Sequence, residues 1–263
     1  MPDPDALAGS GIVPDPETAC PIRKPPGPIG NCPFAPVPAT FEAVTRVKIC
    51  GITDPGDARR AVDLGAWALG MIFWPGTPRA CPLAVAEEIS ASLRRQVELV
   101  GVFVNATLDE VAAAADRLEL SLIQLHGDEG PAYCREVARR TGARVIKAVP
   151  VRDAATVRGL EAFHTDLHLL DAATRGQRGG TGTTFNWDLA AAHRGGVPLI
   201  LSGGLNADNV GEAIQTTLPF AVDTASGTET SPGRKDHAKL EAFFRAVEAT
   251  EAEPGVAPEP SRA

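Results

Sequence analysis

The chain has 263 residues, of which 44% are hydrophobic and 22% charged, a balance that excludes a fibrous, collagen-like or wholly disordered chain. Its net charge of −8 at pH 7 argues against a nucleic-acid partner and an anionic membrane surface, so binding of an anion would depend on local donors. Five irregularly spaced cysteines are too few for a disulfide scaffold. No apolar run reaches the ~18 residues of a membrane span. Together these two features predict a cytoplasmic protein.

Both ends of the chain are rich in proline. Residues 1–40 hold 11 of the 23 prolines and 4 of the 26 glycines, a density that disfavours a packed core. The last residues, 251–263, form a second proline-rich segment. We predict a disordered leader over 1–42, one catalytic domain over 43–250 and a disordered tail over 251–263. A misassigned translation start would also explain the leader.

Short β-rich runs alternate with helical stretches between these two segments. The runs are Val44–Cys50, Trp67–Phe73, Glu98–Val104, Leu122–His126, Arg144–Val149, Leu167–Asp171, Pro198–Ser202 and Phe220–Asp223. The helical stretches are Asp57–Leu64, Pro82–Arg94, Leu108–Leu118, Pro131–Arg140, Ala207–Gln215 and Lys235–Ala249, with a short helix between Pro150 and Leu167 and an alanine-rich one after Asn186. Thr107 and Glu110 have the spacing of a capping box, which marks a helix start.

Eight βα units in about 210 residues predict the α/β class, as a single-domain (β/α)8 TIM barrel. Parallel strands require crossover connections, and eight of them in this length favour a closed barrel. An open doubly wound sheet is the alternative. Such a sheet more often has a glycine-rich turn after its first strand, where this chain has the sequence CGITD.

Polar residues occur at the ends of the predicted strands, where barrel enzymes place their chemistry. They are Lys48 and Cys50, Arg79 in the loop after the second strand, His126, Lys147, Asp171, Ser202 and Asp223. Buried charges need partners, so Lys147 and Asp223 could instead form interior ion pairs that orient the barrel.

Cys50 is a candidate general base. Lys48 lies two residues earlier and therefore shares a strand face with Cys50. A nearby ammonium favours the thiolate, so we expect a thiol that accepts a proton at neutral pH. Gly51 then allows a ligand to approach the backbone closely.

Asp171 is a candidate general acid. It follows an apolar strand, so we expect apolar walls on one side of its carboxyl and the barrel mouth on the other. Desolvation of that kind raises the pKa of a carboxyl, as an acid requires. The pattern shows neither a nucleophilic triad nor a metal-ligand spacing, and we expect no metal and no cofactor.

Three glycine-rich loops follow the last three predicted strands. They are Gly179-Gly180-Thr181-Gly182, Ser202-Gly203-Gly204 and Ser226-Gly227. Exposed backbone N–H groups in such loops, with a helix N-terminus, make a phosphate site. We therefore expect a small phosphorylated ligand, although the first loop could also serve as a mobile lid.

These fragments, in this order, resemble the phosphoribosylanthranilate isomerase family of tryptophan biosynthesis. The matching stretches are Val47–Thr53, Val100–Asn105, Gln124–Gly127, Leu170-Asp171, Gly179–Gly182, Leu201–Leu205, Asp208–Val210, Ser226-Gly227 and Pro232–Asp236. The resemblance covers roughly residues 44–248, and the first-strand and seventh-strand motifs are its most specific parts.

The resemblance implies an Amadori rearrangement of N-(5-phosphoribosyl)anthranilate to 1-(2-carboxyphenylamino)-1-deoxyribulose 5-phosphate. Asp171 would protonate the furanose ring oxygen, and Cys50 would remove the C2 proton. Arg79 would lie near the anthranilate carboxylate, and His126 would line the site. The candidate substrate-binding residues are Arg79, His126, Gly180, Gly203, Gly204, Asp223, Ser226 and Gly227.

The chain departs from the family pattern at three positions. Ala225 replaces one hydroxyl of the last loop, which could weaken a phosphate contact. Asn186 stands where the family commonly has Asp, and Ala80 stands where an aromatic often follows Arg79.

Two other functions remain open from the sequence. One is a different sugar-phosphate isomerase or epimerase, although Cys50 argues against relatives that use two carboxylates or a metal. The other is a catalytically silent barrel, which the presence of Cys50 and Asp171 disfavours. The sequence leaves the oligomeric state open.

Overall fold

The structure is a computed structural model that describes residues 45–171, 187–193 and 196–252. The leader predicted over 1–42, the loop 179–182 with Gly180, and nearly all of the predicted tail lie outside these residues. The predicted domain boundaries therefore stay predictions. In the described part of the chain, no helix combines the length and the apolar character needed to cross a membrane.

Eight parallel strands form a closed barrel in which neighbours in sequence pair and the last strand pairs with the first. Their bounds are Arg46–Cys50 (β1), Ala68–Ile72 (β2), Glu98–Phe103 (β3), Leu122–Leu125 (β4), Arg144–Pro150 (β5), Leu167–Asp171 (β6), Leu199–Ser202 (β7) and Ala221–Thr224 (β8). The closing pair places Lys48 of β1 opposite Asp223 of β8. The predicted (β/α)8 barrel is confirmed, and the open-sheet alternative is wrong.

Helices connect the strands on the outside of the barrel. The α-helices are Pro55–Asp63 (α1), Leu83–Leu93 (α2), Leu108–Leu118 (α3), Pro131–Thr141 (α4), Ala154–Arg158 (α5), Val210–Thr217 (α6) and His237–Ala252 (α7). The short helix predicted after β5 is α5, which continues into a 3-10 turn over Gly159–Ala162. The alanine-rich segment after Asn186 is a 3-10 helix over Trp187–Ala192 rather than an α-helix.

A small hairpin follows β8 and was not predicted. It pairs Glu229–Ser231 (β9) with Arg234–Lys235 (β10), and Gly233 makes the turn with a φ of +82°. Because Lys235 pairs with Glu229 in this hairpin, the predicted helix start at Lys235 is wrong and α7 begins at His237. Two-residue and three-residue strands carry too little periodicity to be read from sequence.

The capping box at the start of α3 is confirmed. The Thr107 hydroxyl accepts from the Glu110 backbone N–H at 3.3 Å, and the Glu110 carboxylate accepts from the Thr107 N–H at 2.8 Å. The two bonds satisfy donors that a helix start leaves without intrahelical partners, which is why the predicted bounds of α3 match the observed ones.

Alternation along the strands separates two apolar cores. One fills the barrel interior, with Leu167 and Leu169 of β6 among its members. The other lies between barrel and helices and includes Leu170. Because side chains alternate with a period of two, Asp171 continues the inward set of β6. Residues at the carboxyl ends of the strands with this parity face the mouth of the barrel.

Candidate active site

Lys48 and Cys50 both point into the barrel from β1, as their spacing predicts. Lys48 is completely buried and Cys50 is 6% exposed. Gly70 of β2 faces both, since a Cβ atom there would lie 2.8 Å from Cys50 Sγ and 3.1 Å from Lys48 Nζ. Any larger residue at position 70 would displace the thiol, a constraint that no sequence signal marks.

Lys48 is held by an ion pair inside the barrel. Its Nζ donates to Asp223 Oδ1 at 2.8 Å, and Ser202 Oγ donates to Asp223 Oδ2 at 2.9 Å. Asp223, a candidate for binding substrate, thus forms the interior ion pair that the sequence left open as its alternative role. Burial alone would lower the pKa of Lys48, but the Asp223 carboxylate and the Cys50 thiol together raise it above its usual value, which keeps the ammonium charged.

The environment of the Cys50 thiol is less favourable to ionisation than the sequence suggested. Burial raises the pKa of Cys50 and is the largest influence, while the Lys48 ammonium lowers it and the Asp223 carboxylate raises it. The net direction is upward. The Lys48 ammonium lowers the pKa of the thiol, as its position predicts, but the same burial that brings the ammonium close also desolvates the sulfur and raises the pKa.

Asp171 lies at the mouth end of β6 beside His126. Its carboxyl Oδ2 is 3.3 Å from His126 Nε2, and the Asp171 side chain is 24% exposed. His126 follows β4 directly, and its backbone N–H still donates to Phe103 O at 2.9 Å, which continues the ladder. The sequence predicts apolar walls on one side of the Asp171 carboxyl and the barrel mouth on the other, whereas the structure places the His126 imidazole against the carboxyl.

A polar arc, defined as Asp171, Ser202, Asp223 and Lys48, runs around part of the barrel. Asp171 pairs in register with Ser202, and Lys48 pairs in register with Asp223. The Ser202–Asp223 hydrogen bond joins the two halves. The arc connects β6 to β1, so Asp171 and Cys50 project from the carboxyl ends of separate strands into the same interior.

Lys147 does not belong to this interior. Ile146 and Ala148 point into the barrel, so Lys147 between them points outward. There its Nζ donates to Glu129 Oε2 and to Gly127 O, both at 2.8 Å. The predicted ion pair exists, but it fastens β5 to the loop after β4 from outside.

Arg79 lies over the end of β1, and its guanidinium is held by Glu229. Nε donates to both Glu229 oxygens at 2.9 and 3.0 Å, and Nη2 donates to Oε2 at 2.7 Å. A Cβ atom at Gly51, where φ is +73°, would lie 3.0 Å from Arg79 Cδ. Gly51 is therefore required by its backbone angle and by this close approach. No sequence signal marked Glu229 as the partner of Arg79.

Lys235 joins the hairpin to the end of β1. Its buried Nζ donates to Cys50 O at 2.7 Å and to Ala225 O at 3.0 Å, and lies 3.3 Å from Glu229 Oε1. Burial lowers the pKa of Lys235, against the opposing pull of the Glu229 carboxylate. Lys235, which belongs to the family stretch Pro232–Asp236, thus holds the backbone carbonyl of Cys50 in place.

Two of the predicted glycine-rich loops meet. Gly203 and Gly204 follow β7 with φ values of +101° and +69°. Gly227 lies in the 3-10 turn Ser226–Thr228, and a Cβ atom there would overlap Leu205 O. Only glycine allows the loop after β8 to pack this tightly on the loop after β7.

The chain matches a protein-family model described as N-(5'-phosphoribosyl)anthranilate (PRA) isomerase over residues 47–246. The chain belongs to this family. The isomerase of Geobacter metallireducens is 46% identical over 206 residues, covering 78% of this chain and all of the relative. That of Geobacter sulfurreducens is 47% identical over 202 residues, covering 77% and 98%. The resemblance drawn from the sequence is confirmed, and the protein is an isomerase of tryptophan biosynthesis.

Solved phosphoribosylanthranilate isomerases share the fold. The Thermotoga maritima enzyme superposes with a TM-score of 0.71 at 40% identity, covering 78% of this chain and 99% of that one. A structure of such an isomerase in complex with reduced 1-(o-carboxyphenylamino)-1-deoxyribulose 5-phosphate has a TM-score of 0.68 at 38% identity, with the same coverage. The Thermus thermophilus enzyme has a TM-score of 0.70 at 36% identity, covering 78% and 99%.

Proposed function

We propose that this isomerase converts N-(5-phosphoribosyl)anthranilate to 1-(2-carboxyphenylamino)-1-deoxyribulose 5-phosphate, with Asp171 as general acid and Cys50 as general base. The observation that carries the proposal is that both side chains project into one barrel interior from the carboxyl ends of β6 and β1, connected by the polar arc. Barrel enzymes build their sites at this end of the strands.

In the first step Asp171 donates its proton to the furanose ring oxygen, and the bond from that oxygen to C1 breaks. The nitrogen lone pair forms the C=N bond of a protonated Schiff base, and Asp171 is left as a carboxylate. Support for this role comes from His126 Nε2, 3.3 Å from the carboxyl, which can donate to the carboxylate as it forms.

In the second step the Cys50 thiolate removes the proton from C2, and the C2–H electrons neutralise the Schiff base to give an enolamine. Tautomerisation then yields the ketone. A thiol of raised pKa is a strong proton acceptor once ionised, and the nearby ammonium of Lys48 favours the ionised form. The proposal therefore assigns Lys48 the task of stabilising the base rather than touching the substrate.

The rest of the site is proposed to hold the two ends of the substrate. Gly203, Gly204, Ser226 and Gly227 offer backbone donors for the phosphate where their loops meet, and Gly180 belongs to the third loop of this set. Arg79, beside the end of β1, suits the anthranilate carboxylate.

A cytoplasmic location forms part of the proposal. Its support is the small number of cysteines together with the three described ones, Cys50, Cys81 and Cys134, which are buried free thiols.

The experiment is a pair of variants, Cys50→Ser and Asp171→Asn, assayed by loss of substrate fluorescence. We expect each to lower kcat by ~10²-fold or more while binding of the reduced product analogue changes little, because a proton-transfer group is lost and no binding group is removed. Cys134→Ser, a buried cysteine of α4, is the matched control with native turnover. Near-native kcat in either catalytic variant would remove that residue from the mechanism.

A further inference from the structure

Gln124 is a buried amide inside the barrel, below the proposed acid. On β4 it lies between Leu122, which faces the interior, and His126, which shares its parity. Its register neighbours Val102 and Ile146 are interior apolar residues, and Gln124 is 1% exposed. A polar group in such surroundings destabilises the fold unless it is hydrogen-bonded, so its contacts call for an explanation.

Only one end of the amide is used. Gln124 Nε2 lies 3.1 Å from His126 Nδ1. Gln124 Oε1 is buried and has no hydrogen-bond partner within the described part of the chain. The one contact that holds this buried amide is therefore directed at the imidazole.

The two ring nitrogens of His126 make different hydrogen bonds. Nε2 faces the Asp171 carboxyl at 3.3 Å. Once Asp171 has given up its proton it is a carboxylate, which only accepts hydrogen bonds, so Nε2 must then carry a proton. In a neutral imidazole Nδ1 is then an acceptor, and it is matched by the N–H of Gln124. The Nε2–H tautomer of His126 thus satisfies both of these contacts, the one with Gln124 and the one with the Asp171 carboxylate.

We propose that Gln124 is a positioning residue that acts through His126. It holds the imidazole against Asp171 as the Nε2–H tautomer, so that an N–H is directed at the carboxylate when Asp171 has given its proton to the ring oxygen. No proton passes through the imidazole: the proton lost by Asp171 stays on the sugar, and His126 donates only a hydrogen bond. The inference deepens the proposed function and rests on Asp171 being the acid.

The first test is the tautomer of His126 in the wild-type enzyme, measured by nitrogen-15 NMR of histidine-labelled protein with His126→Asn used to assign the signal. We expect the proton on Nε2. In Gln124→Met, which keeps the side-chain length and removes both polar atoms, we expect a mixture of the two tautomers. A wild-type imidazole protonated on Nδ1 alone would overturn the inference without any variant having to fold.

The second test is kinetic. Gln124→Met should lower kcat by about tenfold with KM nearly unchanged, because a hydrogen bond that matters after ring opening is weakened and no substrate contact is lost. The same change at an exposed site, Gln96→Met, should leave kcat native. In a His126→Asn background, Gln124→Met should have no further effect on kcat, since its action runs through the imidazole.

The outcomes separate this inference from the proposed function. If Asp171→Asn keeps native turnover, the acid assignment fails and the role of Gln124 fails with it. If Asp171→Asn is inactive but Gln124→Met retains the native tautomer and native kcat, only the role of Gln124 is refuted. An equal loss of kcat from Gln124→Met with and without His126 would also refute it.

Discussion

The Nζ atom of Lys48 lies 2.8 Å from Asp223 Oδ1 inside the barrel, and the same ammonium is a neighbour of the Cys50 thiol. One cation thus serves two anionic partners, the carboxylate permanently and the sulfur when it is ionised. Because Lys48 is completely buried, removing either charge of the pair leaves the other without compensation.

Lys48→Met should destabilise the fold and weaken the base. Breaking a buried pair from one side typically costs ~3–5 kcal/mol, so urea unfolding should report a loss of that order. Lys48→Met combined with Asp223→Asn should recover much of that stability, since no charge is left buried. The double variant should nevertheless have a lower kcat than the wild type, because no ammonium remains beside Cys50. Full activity in the stable double variant would show that Lys48 does not assist the thiolate.

The pH dependence of turnover follows from the environment of Cys50. Burial raises the pKa of its thiol, so the thiolate fraction at neutral pH is small and increases as the pH rises. When removal of the C2 proton limits the rate, kcat should therefore climb from about pH 6 to about pH 9. A substrate deuterated at C2 identifies the range in which proton removal is limiting. A rate that is already flat below about pH 7 in that range would contradict a thiol base of raised pKa.

Glu229→Gln should affect binding more than chemistry. The substitution removes the charge that orients Arg79 through three hydrogen bonds, so the guanidinium loses its fixed direction. We expect KM to rise about tenfold with kcat within about twofold. Glu87→Gln, which breaks an exposed ion pair with Arg117, is the control with native KM. A lowered kcat with native KM would place Arg79 in the chemical step instead.

Gly227→Ala and Gly204→Ala separate the two kinds of glycine at the proposed phosphate site. A Cβ atom at Gly227 would overlap Leu205 O, so the first variant must move the loops apart and should raise KM strongly. At Gly204 a Cβ atom meets nothing within 4 Å, and only the φ of +69° opposes it, at about 1–2 kcal/mol. Inhibition by inorganic phosphate should weaken in the first variant far more than in the second. Equal effects would place the phosphate elsewhere.

We expect the buried imidazole of His168 to make the folded protein less stable at acid pH. On the outer side of β6 its Nδ1 lies 2.8 Å from His193 Nε2, and burial lowers the pKa of His168 to about 4. The unfolded chain binds a proton at pH values where the folded chain does not, so the free energy of unfolding should fall as the pH drops from 6.5 towards 4. His168→Asn should reduce that slope, whereas the exposed His164→Asn should not. An unchanged slope in His168→Asn would contradict the prediction.

The architecture was accessible from the sequence because local signals agreed with one another. The alternation of β-rich and helical runs predicts the barrel, and the Thr107 capping box fixes α3. The shared face of Lys48 and Cys50 follows from a period of two and is confirmed. The same period applied to Lys147 would have placed it outside, because Ile146 and Ala148 on either side face inward.

Partners that come from distant parts of the chain could not be predicted. Glu229 reaches Arg79 across 150 residues, and Gly70 faces Cys50 from another strand. The balance that raises the pKa of Cys50 depends on how completely the folded barrel desolvates the sulfur, which no spacing reveals. In the sequence Gln124 stands out only as part of a family motif, since a buried amide with one unpartnered oxygen is recognisable only when its neighbours are in place.

A crystal structure of the wild-type enzyme with the reduced product analogue bound would show directly whether Asp171 and Cys50 are placed to act as acid and base. We expect Cys50 Sγ within ~3.5 Å of carbon 2 of the sugar chain and an Asp171 oxygen within ~3.2 Å of the hydroxyl that was the ring oxygen. A bound analogue with either group too far from its atom for proton transfer, even through one water, would contradict it.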